Sequence, residues 1–104
     1  MAGLWEHWLD PAAQSPGATR DATLYTFTIL TCPANPLVAA LHDRMPVILA
    51  PRDYAAWLDP AADRPGLEAL LTPYPAEDME TWPVSKRVNN PRNDDASLLD
   101  KVAP

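Results

Sequence analysis

Three consecutive residues, His42, Asp43 and Arg44, set a titratable imidazole, a carboxylate and a guanidinium side by side. An imidazole moves protons near neutral pH, and a guanidinium clamps an anion such as phosphate. The competing account is structural: a histidine bonded to the last carbonyls of a helix, and Arg44 paired with Asp43 or another surface acid. Residue types alone leave both accounts open. Lys86, Arg87 and Arg92 form a second group, interleaved with Asn89, Asn90 and Asn93. Such a basic, amide-rich stretch suits a phosphodiester backbone, while its Asn-Pro and Asn-Asp steps equally suit solvated turns. Cys32 stands between a strand and a short helix, where a thiolate can be stabilised, yet a lone buried cysteine is ordinarily inert. Glu6, flanked by Trp5 and His7, is either a desolvated carboxylate or the structural partner of an arginine such as Arg44 or Arg87.

Other chemistries find no support. The three glycines, Gly3, Gly17 and Gly66, are scattered and build no phosphate loop. His7 and His42 are far apart and lack a cysteine pair, so no zinc site is expected, and no G-x-S-x-G elbow occurs. Neither metal nor cofactor is expected. A net charge of −6 argues against nucleic-acid binding by the whole surface, though not by a local patch. One cysteine excludes an internal disulfide and suggests a reducing compartment, hence the cytoplasm. Neither a secretory leader nor a run of 18 apolar residues is present, so no membrane partner is expected.

The elements that must position these residues are short, because 13 prolines cut up 104 residues. Strands are expected at Leu4–Trp8, Tyr25–Thr31, Pro46–Leu49 and Met79–Val84. The second is the clearest, with Tyr25, Phe27 and Ile29 alternating against Thr26 and Thr28, the former on the core face. It should pair antiparallel with the first across a loop marked by Ser15-Pro16-Gly17 and Thr19-Arg20-Asp21. Asn35-Pro36 should cap a two-turn helix that ends at His42, where the helix dipole favours an imidazolium. Pro46 then forces the change to the Val47-Ile48-Leu49 strand. Two more helices are expected from Pro51, with Tyr54, Trp57 and Leu58 as its apolar face, and from Pro65, with Leu67, Leu70 and Leu71. A last helical turn is expected within Ser97–Val102.

Taken in order, Ala2-Gly3-Leu4-Trp5-Glu6, the Tyr25–Thr31 strand, Ala34-Asn35, Leu41-His42-Asp43-Arg44-Met45-Pro46, Trp57-Leu58, Pro83-Val84-Ser85 and Val88-Asn89-Asn90 resemble the SOS response-associated peptidase (SRAP) family. Its members shield abasic sites in single-stranded DNA. The resemblance implies a cysteine exposed behind the initiator methionine, whose amine and thiol close on the ring-opened abasic aldehyde to form a thiazolidine cross-link. It implies that His42 assists ring opening by proton transfer, that Arg44 contacts phosphate, and that Thr31 lies near the abasic nucleotide. With Arg87 and Arg92 from the basic stretch, these complete the expected DNA-binding set.

The departures from the family pattern are equally specific. Residue 2 is Ala2, and neither the Asn-Ala-Arg segment nor the segment carrying the catalytic glutamate is found. Glu6 belongs to a later string and does not replace that glutamate. Cys32 has its nitrogen in a peptide bond, so it offers no free amine for thiazolidine closure. Residues 1–104 are therefore expected to be the C-terminal portion of a single SRAP domain, begun at an internal methionine or in a broken frame. The expected fold is α+β: an incomplete, antiparallel-rich twisted sheet with short peripheral helices. Apolar surface should lie bare on the Trp5, Trp8 and Phe27 side, and the isolated chain should be poorly soluble. The expected partners are abasic single-stranded DNA and a missing N-terminal half supplied as a separate chain. The alternatives are a non-catalytic single-stranded DNA-binding remnant and an unrelated interaction module.

Overall fold

Strand β1 (Gly3–Leu9) pairs antiparallel with β2 (Thr23–Ile29), in a register running from Gly3 opposite Ile29 to Leu9 opposite Thr23. The computed structural model describes residues 1–11 and 23–103. The turn signals expected at Ser15-Pro16-Gly17 and Thr19-Arg20-Asp21 lie outside the described residues. The register and the two-residue period of a strand set Trp5, His7, Tyr25, Phe27 and Ile29 on one face. Leu4, Glu6, Trp8, Leu24, Thr26 and Thr28 share the other. Trp5 and Tyr25 meet diagonally, with ring centroids 6.4 Å apart.

Neither face is covered. Trp5 is 71% exposed, Phe27 79% and Trp8 53%. The bare apolar surface expected at these three residues is therefore present, but it occupies both faces of the hairpin rather than one side. The expected core face of Tyr25, Phe27 and Ile29 is a shared face and not a core. With a Cα radius of gyration of 19.3 Å, against about 13 Å for a packed chain of this length, the hairpin projects from the packed end.

The core lies at the hairpin's base. Ala2, Cys32, Met45, Val47 and Leu49 are buried together, flanked by half-buried Leu30, Val38, Trp57, Leu70, Leu71, Tyr74 and Met79 among others. Three chain segments close a ring of hydrogen bonds here. Ala2 N–H donates to Val47 C=O (2.7 Å), Leu30 N–H to Ala2 C=O (3.0 Å), and Val47 N–H to Leu30 C=O (2.9 Å). Leu30 thus hands the chain from the first sheet to a second, in which β3 (Thr31–Pro33) pairs antiparallel with β4 (Arg44–Pro46). The Trp57 indole N–H reaches Gly3 C=O (3.3 Å) and ties the hairpin to the packed end.

Several expected elements are revised. The Tyr25–Thr31 strand breaks at Leu30, because its two backbone groups serve different neighbours. Among the described residues the second strand of the packed end is Arg44–Pro46, not Pro46–Leu49. Val47 keeps ladder-like bonds, while Ile48 and Leu49 follow as irregular, largely buried chain. Met79–Val84 is not a strand; Pro83 has no N–H to give, and its carbonyl accepts from Val102 N–H (3.0 Å). The helix expected over Pro36–His42 shrinks to a 3-10 turn at Val38–Ala40, since so few residues cannot offset helix nucleation. His42 therefore feels no α-helix dipole. A 3-10 turn at Pro51–Asp53 leads into α1 (Tyr54–Leu58), where only Trp57 is half-buried and Tyr54 and Leu58 stay exposed. Helix α2 (Arg64–Glu68) is capped by the Asp63 carboxylate, which accepts from Gly66 N–H (2.9 Å). The final turn is 3-10, at Ala96–Leu99. Small antiparallel sheets with short helices make this an α+β chain.

Candidate nucleic-acid interface

The β3–β4 ribbon sorts its side chains by alternation. Cys32 and Met45 face each other across the strands and turn into the core, so the residues on either side of them must face solvent. That outward face carries Thr31 and Arg44. The Arg44 guanidinium, through one Nη2 nitrogen, donates to Thr31 C=O (3.0 Å) and Thr31 Oγ1 (3.1 Å). Thr31 thereby orients Arg44 while leaving the rest of the guanidinium fork exposed. The structural alternative of an Arg44–Asp43 pair is not what forms.

His42 stands beside this clamp on the turn entering β4. Its Nδ1 accepts from Arg44 N–H at 3.0 Å, which assigns the neutral ring the tautomer with hydrogen on Nε2. The same Nδ1 lies 3.1 Å from Asp43 Oδ1 and 3.2 Å from Arg44 C=O. A proton arriving on Nδ1 therefore meets acceptors already in place. Nδ1 thus has neighbours on the chain both for accepting and for donating, though not for both at once. His42, Asp43 and Arg44 are all exposed and open to a macromolecular ligand.

The basic stretch is used differently. Lys86–Asn89 forms a 3-10 turn capped by the Ser85 hydroxyl, which accepts from Arg87 N–H (3.2 Å). Arg87 then pairs with Asp95 (2.9 Å) and donates to Ser97 Oγ (3.2 Å). Arg92 is exposed, and among the described residues its side chain makes no ion pair. The Glu6 carboxylate accepts from its neighbour His7 N–H (2.9 Å) rather than pairing with Arg44 or Arg87. Cys32 is a free, buried thiol inside the core. Among the described residues no group of three His, Cys, Asp or Glu side chains is placed to hold a metal. No helix among them is long and apolar enough to cross a membrane.

Sequence reasoning took Asn35 for a helix cap and missed its larger role. Its Oδ1 does accept from Val38 N–H (2.9 Å), as a cap would. Its Nδ2 also donates to Tyr74 C=O (2.7 Å) and contacts Met79 Sδ (3.3 Å). This buried amide binds the 74–79 segment to the turn that delivers His42. Asp95 carried no signal of its own either. The Ser97 hydroxyl and Arg87 beside it, both stabilising the anion, hold its carboxyl below the usual carboxylate range. A carboxyl lowered on folding contributes stability above its unfolded pKa and loses it as pH falls through the folded one. In urea titrations Asp95→Asn should therefore fall below the parent at neutral pH, and the gap should close in acid.

Comparison with known proteins gives one consistent answer. The family model "SOS response associated peptidase (SRAP)" matches residues 1–91. The chain is 44% identical over 101 residues to the abasic site processing protein YoaM of Bacillus subtilis, covering 96% of this chain and 41% of that protein. It is 39% identical over 99 residues to the abasic site processing protein HMCES of Gallus gallus, covering 95% of this chain and 27% of that one. A crystal structure of a Bacteroides thetaiotaomicron protein superposes with a TM-score of 0.78 at 24% identity, covering 97% of this chain and 42% of the other, and so shares the fold. The chain thus spans less than half the length of each of these relatives.

Proposed function

The chain belongs to the SOS response-associated peptidase family, and from that premise we propose that it supplies the phosphate-gripping and proton-moving part of an abasic-site-processing domain acting on single-stranded DNA in the cytoplasm. The unrelated interaction module is set aside by the family match. The observation that carries the reading is the outward face of β3–β4, where Thr31 steadies Arg44 next to His42. Opening the abasic sugar moves one proton from the anomeric hydroxyl to the ring oxygen as the ring C–O bond breaks. An imidazole does this by taking one proton and giving another, and His42 Nδ1 has a neighbour on the chain for either role, one at a time. Arg44 anchors the adjacent phosphate and exposed Arg92 extends the contact, which Arg87 can join only on release from Asp95.

In this reading residues 1–104 act as the C-terminal portion of a single domain, and the amine–thiol nucleophile comes from another polypeptide stretch that covers the β1–β2 hairpin. Ala2 supports that assignment. It is wholly buried, and its nitrogen donates into the hydrogen-bonded ring through Val47, so position 2 offers no attacking group whatever its side chain. Ala2→Cys should therefore still form no cross-link with abasic single-stranded DNA on a denaturing gel; a covalent adduct from that variant alone would overturn the assignment.

Binding is tested with an abasic oligonucleotide at several salt concentrations. Arg44→Ala should weaken affinity about tenfold. It should also reduce the salt slope by about 0.7, the share of one phosphate on a single strand. Equal slopes for the two proteins would remove Arg44 from the interface, and absence of any binding would sink the reading. Binding that survives with no cross-link, even when the rest of the domain is added in trans, would favour a non-catalytic DNA-holding role.

A further inference from the structure

The segment 95–102 folds back across residues 80–87 and is tied to them by a run of polar contacts. Arg87 donates through its two terminal nitrogens to two different oxygens of this strap, Asp95 Oδ2 at 2.9 Å and Ser97 Oγ at 3.2 Å. The Trp82 indole N–H donates to Leu99 C=O (2.9 Å), and the Lys101 ammonium sits 4.6 Å from the centroid of the Trp82 ring. Lys101 also approaches Glu80 at 3.9 Å, and Val102 N–H reaches Pro83 C=O (3.0 Å). Apolar burial adds less: Leu99 is 72% exposed, and in its 3-10 turn only Leu98 is half-buried.

We propose that Arg87 and Trp82 form a second contact for single-stranded DNA and that the strap occupies it in the unbound protein, with the Asp95 and Ser97 oxygens standing where two phosphate oxygens would bind. The fork geometry is the argument. A guanidinium takes two oxygens in parallel from a phosphodiester, and here the strap supplies both. An aromatic ring next to a cation is the pairing that single-strand binders use, with a base on the ring and a phosphate on the charge. On Trp82 that ring is held by Lys101 and Leu99 of the same strap. A segment tied down by exposed ion pairs and carbonyl bonds opens at low cost, so a nucleic acid can displace it. The inference rests on the DNA-binding reading above and adds a contact that the chain itself masks.

The experiment measures affinity for an unmodified oligothymidylate against salt for the full chain, Asp95→Asn, Asp94→Asn and Arg44→Ala. Asp94 is the control because it removes the same charge from the neighbouring position. Asp95→Asn should raise affinity about two- to fivefold, the worth of an exposed ion pair. Its salt slope should match the parent's, because Arg87 reaches a phosphate in both complexes once the strap is displaced. Asp94→Asn should do clearly less, and Arg87→Ala should abolish the gain in an Asp95→Asn background. In NMR spectra of the unmodified protein, the upfield ring-current shift of the Lys101 methylene beside the ammonium should disappear when oligothymidylate is added. If Asp95→Asn matches Asp94→Asn while Arg44→Ala still flattens the slope, the masked contact is wrong and the DNA-binding reading stands. If no protein binds the oligonucleotide, both fall. Retention of the Lys101 shift in a saturated complex would overturn the strap's displacement.

Discussion

Asn35→Ala is expected to lower the unfolding free energy of the packed end by about 2–4 kcal/mol, because the deletion leaves the Val38 N–H and the Tyr74 carbonyl without their partners in a largely buried place. The size follows from position rather than from residue type. Asn35 is only 5% exposed, and it joins the turn before His42 to the 74–79 segment. Asn35→Asp should lose nearly as much, since it keeps the oxygen that accepts from Val38 but replaces the donor to Tyr74 with a second acceptor. Urea unfolding followed by tryptophan fluorescence checks both variants. A loss under about 0.5 kcal/mol for Asn35→Ala would mean that solvent replaces these bonds and that the amide is no clamp.

The paired substitution Trp5→Ser and Phe27→Ser should have the opposite character. These are among the largest apolar side chains of the chain, and they face each other on one open face of the hairpin. Removing them costs the packed end almost nothing, so its unfolding midpoint should stay within the error of the measurement. Association driven by that face should weaken by about tenfold or more, since each aromatic contributes about 1.5–3 kcal/mol when buried. Light scattering across a concentration series reads the effect. The same variant should bind any covering stretch of polypeptide correspondingly less tightly. If it unfolded at much lower denaturant while self-association was unchanged, the hairpin faces would have to be packed in solution.

The two predictions divide the chain in a way that hydrophobicity alone does not. Large aromatics at Trp5, Trp8 and Phe27 mark a strand from composition, yet stability resides in a small cluster of Ala2, Cys32, Met45, Val47 and Leu49. A strand's alternation shows which residues share a face; it says nothing about whether anything lies against that face. For that reason the antiparallel pairing of the first two strands was legible, while the burial of Tyr25, Phe27 and Ile29 was not.

What the amino-acid order determined by itself is local or motif-borne: the family, the hairpin pairing, the turn bond from Val38 N–H to Asn35, and the adjacency of His42 to Arg44. Each depends on residues within a few positions of one another or on a string specific enough to be matched. Only the tertiary structure decided that Leu30 would turn the chain from one sheet to another, that Thr31 would steady Arg44, and that Asp95 would hold Arg87. Those outcomes require backbone and side-chain groups far apart in sequence to meet at bonding distance. A buried or paired polar group takes whichever partner the packed chain presents, and that partner is not encoded beside it.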